Sequence, residues 1–308
     1  MKKNGYGYFW TWEPEMMTRL LSESVSADIE KEFSLALARK RLGITFSGSG
    51  EIIPLLQITL LDTFRITEGK RQLFSLDDFT VSQQQILGLI VTAPDQKISQ
   101  EKAQVFFWPD DPPDKAKKKF DALMVRLRKK FSEHISAPVQ NYIILSKGFL
   151  CLRNVEIDVL SVMDACTAAR THSRKNEWWQ AGNAFYRAYS LWKRKLPADI
   201  FINDYAASQG IALLSAFAEA CLTQADHLAG TGQTEDAIEI LESLLLSQAL
   251  EEKAVIHLCT LYFRNNMPLK ARKVLNSYGK ALKQIDCTTT EIKGILAEIL
   301  AQSPKSPD

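Results

Sequence analysis

Between Asp114 and Lys130, eight of seventeen residues are Lys or Arg, opposed only by Asp114 and Asp121. The run holds +8 − 2 = +6 in a chain whose net charge is +2. A block of cations has one evident chemistry, donation of charged hydrogen bonds to anions, and nucleic-acid phosphates are the densest anions it meets. Residues suited to other chemistry are sparse. His134, His172, His227 and His257 are scattered, as are Cys151, Cys166, Cys221, Cys259 and Cys287, which never form CxxC. No metal-ligand spacing exists among them, so no metal site is expected and the cysteines read as buried, reduced and structural. The pairs Asp77–Asp78 and Asp110–Asp111 lie in turn-like stretches with no nucleophile or His nearby. Helix capping and loop solvation account for them better than acid–base catalysis. Ser47-Gly48-Ser49-Gly50 is too short and wrongly placed to cradle a phosphate. The chain therefore reads as a non-enzyme without a cofactor.

The charge is local. Residues 1–51 carry 7 basic and 7 acidic side chains, residues 52–153 carry 15 and 11, and the remainder 16 and 18. A length of 308 residues allows two or three domains. The N-terminal MKKNGYGYFWTWEPEMM lacks the apolar core and cleavage site of a signal peptide. No continuous apolar run approaches the ~18 residues that cross a bilayer. The expected location is cytoplasmic, with no membrane partner.

Three helices and two small sheets are predicted around the basic run. LLQITLLDTFRI and LFSL, separated by TEGKRQ, read as an antiparallel sheet. QQQILGLIVTA is a helix stopped by Pro94, and Ser99 is the expected N-cap of a second over EKAQVFFW. Trp108-Pro109-Asp110-Asp111-Pro112-Pro113 is a turn no helix passes through, with Trp108 as an anchor beneath it. The basic helix follows to about His134, and its Ala116, Phe120, Leu123, Leu127 and Phe131 form an apolar seam toward the core, broadened by Met124. YIILSKGFLCLR then folds as a hairpin about Ser146-Lys147-Gly148. That order is a winged helix-turn-helix, whose third helix enters the major groove. The seam is explained by the fold, and the +6 on the other side is not.

On either side the grammar differs. Residues 12–42 read as two short helices, the first opening at Glu13-Pro14-Glu15 and the second capped by Ser26, with Ile29, Phe33 and Leu37 on one face. Gly43 ends the second, and FSGSGE (46–51) reads as a small-residue linker. From about Asp158 the chain is helical. Ala225, Leu228, Ala237 and Leu241 recur 34 residues later as Cys259, Tyr262, Ala271 and Leu275. A period of 34 with small residues at the crossings is the tetratricopeptide pattern. NEWWQAGNAFYRAYSLW and Asp204 to Leu228 read as less regular helices of the same array, with Trp178 and Trp179 as packing residues or one of them exposed to a partner. The predicted fold class is an α+β N-terminal half, a winged helix-turn-helix, followed by an all-α tetratricopeptide-like repeat. Expected boundaries are 1–51, a helical segment and linker; 52–154, the winged helix; and 155–308, the helical domain.

These residues resemble the SARP type of bacterial regulator, which joins an OmpR-like winged helix to a bacterial transcriptional activation domain. QITLLDTFRIT matches the opening strand, KISQEKAQVFFWPDDPPDKAKKKFDALMVRLRKKF the helix-turn-helix and YIILSKGFLCL the wing. NVEIDVLSVMDAC matches the entry to the activation domain, and AFYRAYSLWKRKLPADI its second helix. The N-terminal segment also resembles one in large MalT-like regulators, although no GxxxxGK[ST] loop of their ATPase module is present. The chain is then either a short form or part of a longer one. The family's LYxG reads Leu191-Trp192-Lys193-Arg194. The resemblance implies DNA contacts from Lys115, Lys118, Lys119, Arg126, Arg128, Lys129 and Lys130 on the third helix, and from Lys147 and Arg153 at the wing. It also implies double-stranded DNA, RNA polymerase and a second copy of the chain as partners, in a sequence-specific transcriptional activator. The competing expectation is a tetratricopeptide scaffold whose winged helix binds no DNA.

Overall fold

The computed structural model describes residues 12–192 and 204–302. The first eleven residues, and Lys193-Arg194 of the LYxG-like stretch, lie outside the described residues. The chain divides into two compact units, the first containing the described residues up to Asp158.

The first unit opens with α1 (Pro14–Ser26) and α2 (Lys31–Leu42). Pro14 sits at the first helical position with Glu15 beside it, as expected at a positive dipole end. Ser26 does not cap α2. It is the last residue of α1, and its hydroxyl donates back to the Ser22 carbonyl. The chain then turns through the left-handed conformations of Asp28 and Glu30, which leaves Ile29 exposed at the tip. The buried face of α2 is Ser34, Leu37 and Ala38, which close on Met17, Leu21 and Val25 of α1. Residues 46–51 are likewise not a free linker. They turn a hairpin between β1 (Ile44–Phe46) and β2 (Ile52–Pro54), with Thr45 paired to Ile53. Gly50 is required there. Its φ is +84° and a Cβ would lie 2.1 Å from the Ser26 Oγ, while its carbonyl accepts from the Ser22 hydroxyl at 2.7 Å.

The winged helix follows. β3 (Leu56–Thr59), β4 (Arg65–Glu68) and β5 (Arg71–Ser75) form the expected antiparallel sheet in the order β5-β4-β3-β9. The fourth strand, β9 (Val155–Ile157), joins β3 in parallel from a hundred residues away. Asp158, just after it, accepts from the backbone N–H groups of Leu60 and Leu61 at 2.8 and 2.9 Å. α3 (Val81–Val91) starts in a capping box of Thr80 and Gln83, and α4 (Gln100–Phe107) starts with the Ser99 hydroxyl accepting from Lys102 N–H. α5 (Pro113–Ser132) is the basic helix. β7 (Ile143–Ser146) and β8 (Phe149–Leu152) make the predicted hairpin, and β6 (Lys97–Ser99) adds a third strand to it in the order β6-β8-β7. Tyr142, fully buried, fastens this half to the hairpin of β1 and β2 by donating to the Pro54 carbonyl at 2.8 Å. Burial first, and Glu68 second, push its phenol up to about 12.

The second unit is helical. α6 (Asp158–Arg174) and α7 (Trp178–Leu191) are followed by α8 (Asp204–Gly230), α9 (Thr234–Ser247), α10 (Glu252–Arg264), α11 (Pro268–Gln284) and α12 (Thr289–Gln302). Three helix pairs share one turn. The N–H of Glu177, Gln233 and Met267 donates to the carbonyl five residues back, on His172, Leu228 and Tyr262, at 3.0, 2.8 and 2.8 Å. The residue between, Asn176, Gly232 or Asn266, is left-handed each time. This is the Schellman stop, which Gly and Asn tolerate best. Ala181, Ala237 and Ala271 then enter the second helix of each pair with at most 2% of their surface exposed. The 34-residue repeat is therefore present, and a third pair, α6–α7, precedes it at a spacing of 56.

α8 is long and apolar enough to cross a membrane, with mean hydropathy 1.2 over Ala206–Gly230. In the fold it is the central helix of the array. Phe217 stacks on Trp192 at 4.1 Å and His227 on Trp178 at 4.0 Å, while Asp226 meets His257 of α10 at 2.8 Å. Cys151, Cys166, Cys221 and Cys259 are buried free thiols and Cys287 is half-buried. Among the described residues no cluster of three or more His, Cys, Asp or Glu side chains has a metal-binding arrangement.

Candidate nucleic-acid interface

α5 is built to present one face. Pro112 is extended and Pro113 occupies the first turn, which starts the helix cleanly after the Trp108 turn. Asp114 lies at its positive end, and Lys129 and Lys130 at its negative end. Ala116, Phe120, Leu123, Met124, Leu127 and Phe131 are each at most 4% exposed. At the far end Phe131 packs on Phe74 of β5 at 5.0 Å and on Phe79 at 6.0 Å. Aromatic pairs of this kind add about 0.5–1.5 kcal/mol beyond their buried area. With the inner seam fixed, the outer stripe follows from helical spacing. Lys118, Ala122, Val125 and Lys129 recur at steps of 4, 3 and 4, and Val125 is 67% exposed.

The cations expected at the interface fall into three groups. Lys118, Arg126 and Lys129 are exposed and make no side-chain hydrogen bond or ion pair among the described residues. Lys115 and Lys119 are exposed but share one partner, Asp111 in the preceding turn. Lys115 lies 3.0 Å from its carboxylate, and Lys119 forms a short ion pair with the other oxygen. The hydrogen bonds from Lys119 and then Lys115 hold the Asp111 carboxyl below its ordinary range. Lys130 is half-buried, with its ammonium 5.7 Å from the centre of the Phe79 ring.

Arg128 departs from the expectation of an exposed contact. Its guanidinium points along the flank of α5 toward the wing and donates to the Ile143 carbonyl at 2.7 Å. Its Nε is buried without a hydrogen-bond partner, and burial lowers its pKa from the usual value. The helix twist explains the difference. Arg126 and Arg128 are two residues apart, so they project from opposite flanks, and only one of those flanks faces β7.

The wing tip is a two-residue turn. Ser146 pairs with Phe149, and Lys147 and Gly148 between them have φ of 50° and 76°. Two positive φ values make the primed turn that matches strand twist, and glycine relieves one of them. Lys147 is exposed at this tip. Arg153 is exposed too, but at the other end of β8, where its N–H donates to Tyr142. The four residues of β8 separate the two cations by about 13 Å. Lys97 of β6 lies over the Phe149 ring at 4.0 Å, so its ammonium also reaches the wing surface.

Sequence reasoning did not single out Val125, Ala122, Lys117, Lys97 or the bridging role of Asp111. Val125 and Ala122 were legible as the positions opposite the seam. Lys97 and Asp111 depend on strand pairing and turn geometry that composition does not reveal.

Residues 157–286 match the family model of the bacterial transcriptional activator domain, which spans α6 through α11. Among solved structures the chain is similar to EmbR of Mycobacterium tuberculosis, determined in complex with a low-affinity phosphopeptide. The TM-score is 0.56 at 18% identity, covering 81% of this chain and 66% of EmbR, so the likeness speaks for the fold. A comparison with curated proteins finds no match. An activator domain of this family behind a winged helix-turn-helix is the architecture of the SARP-type bacterial transcriptional regulators, and this chain has it.

Proposed function

We propose that the chain binds double-stranded DNA sequence-specifically through α5 and the wing, and activates transcription from the bound site. The observation that carries this reading is the outer face of α5, where Lys118, Arg126 and Lys129 are solvent-facing and uncommitted around an exposed Ala122 and Val125. A solvated helix face tolerates a single exposed valine, so the uncommitted cations around it carry the weight. In a major groove the same face would be used in full, because thymine methyl groups offer apolar contact while the flanking cations reach guanine edges and phosphates. Lys147 at the wing tip and Lys115 and Lys119 at the helix start extend the cationic track. RNA polymerase is the partner through which activation would act, and the helical array supplies the surface for it or for a second copy of the chain.

Selection from a randomised duplex pool tests the reading. A defined motif is expected, and Val125→Asp is expected to abolish its enrichment while leaving the melting temperature unchanged. Recovery of unselected sequence by the folded wild-type chain would leave the tetratricopeptide scaffold as the better account.

A further inference from the structure

The first helix pair of the activator domain encloses a cavity of about 210 Å³ between α6, α7 and α8. Its wall mixes small apolar side chains, Cys166, Ala181 and Ala216 beside Phe185, with the hydroxyls of Thr167, Ser173 and Thr223. Burial holds the Cys166 thiol up at about 11, so this wall stays uncharged at neutral pH. An engineered apolar cavity of about 150 Å³ accepts benzene. The volume here suits a branched aliphatic chain or a single ring with a short stem.

Two features distinguish this cavity from a packing defect. Gln224 lines it with only 6% of its surface exposed and places a side-chain amide in the wall. An amide in such a wall offers a ligand a directional hydrogen bond, which fixes its orientation. At the rim, Arg170 of α6 and Glu219 of α8 face each other at 3.5 Å, both about half exposed. An exposed pair of that kind is weakly held and opens readily to other ions.

Adjacent opposite charges at the mouth of a small, partly apolar chamber complement a molecule with adjacent opposite charges on an apolar body. We propose that this cavity binds a free α-amino acid with an apolar side chain. Arg170 takes its carboxylate, Glu219 its ammonium, and Gln224 a polar atom of its stem, while the side chain fills the space among Cys166, Ala181 and Phe185. The site belongs to the activator domain and stands whether or not α5 binds DNA. It would give the regulator a small-molecule signal.

Calorimetry on the full chain with L-phenylalanine and L-leucine tests the proposal, beside 2-phenylethylamine, which lacks the carboxylate, and 3-phenylpropanoate, which lacks the ammonium. At least one amino acid is expected to bind, and removal of either charge from the ring-bearing probe is expected to weaken it about tenfold. Arg170→Gln should reduce amino-acid binding to the level of the amine, and Ala216→Phe should abolish it by filling the chamber. Circular dichroism and the melting temperature report whether Ala216→Phe still folds, and Arg170→Gln, at an exposed position, stands as the independent arm. No heat from either amino acid at about 10 mM, unchanged binding in Arg170→Gln, or a truncated analogue that binds as tightly as L-phenylalanine would each overturn the proposal.

Discussion

If α5 reads DNA as proposed, Asp111 is the residue on which the specificity of the interface would turn. Its carboxylate holds Lys115 and Lys119 at the start of α5, the part of the helix that lies nearest base edges in a helix-turn-helix. While held, two cations are partly neutralised toward any phosphate, and the pair is given up only for a partner that compensates Asp111. On the proposed reading, the carboxylate would oppose non-specific binding more than specific binding. Asp111→Asn is expected to raise affinity for a non-specific duplex about three- to tenfold at low salt and to narrow the ratio of specific to non-specific affinity. Fluorescence anisotropy on two labelled duplexes measures both, and an unchanged ratio would mean that these lysines do not meet the DNA. At this scale the sequence was most informative about which residues are cations and least about what each touches. Lys118 and Arg126 stay exposed as the helical spacing requires, but Arg128 was indistinguishable from them by type. Its inward turn depends on β7 arriving at one flank of α5.

That flank is where two elements are joined. α5 and the wing are separate in sequence, and the Arg128 guanidinium on the Ile143 carbonyl links them directly. A hydrogen bond from a charged donor contributes about 1.5–3 kcal/mol. Arg128→Ala is expected to destabilise the protein by about that amount in urea unfolding, whereas Arg126→Ala should stay within about 0.5 kcal/mol of wild type. Comparable losses for the two would show that the contact with the wing has no structural weight. Element by element, legibility followed the length of the periodic signal. α5 could be drawn from its seam alone, and the wing from Lys147-Gly148. The hairpin of β1 and β2 and the strand β9 were missed, because strands of three residues are too short to show alternation and are made by pairing with distant partners. Ser26 looked like a cap by type, but the left-handed turn at Asp28 and Glu30 moved the start of α2 to Lys31. The third helix pair was legible only as less regular helices of the array, because its spacing of 56 breaks the 34-residue period, and the shared left-handed Asn or Gly at each turn shows that it ends in the same stop.

At the scale of the molecule, the chain places its positive charge and its repeats in different units. Most of the +6 of residues 114–130 faces outward from a winged helix whose core is closed by Phe74, Phe79 and Phe131, while residues 154–308 together hold 16 basic and 18 acidic side chains, the basic Pro268–Gln284 included. Such a division is what a regulator needs if one unit addresses DNA and the other receives a signal or a partner. The central claim is that the outer cations of α5 neutralise phosphates. It is tested most directly by a salt titration of duplex binding with the full-length wild-type chain and the Lys118→Ala/Arg126→Ala/Lys129→Ala variant. Each phosphate contact contributes about 0.9 to the slope of log K against log salt. The variant is predicted to bind more weakly at low salt with a slope shallower by about 2.7, at an unchanged melting temperature. An equal slope for the two proteins, or no duplex binding by the wild type even at low salt, would contradict the account.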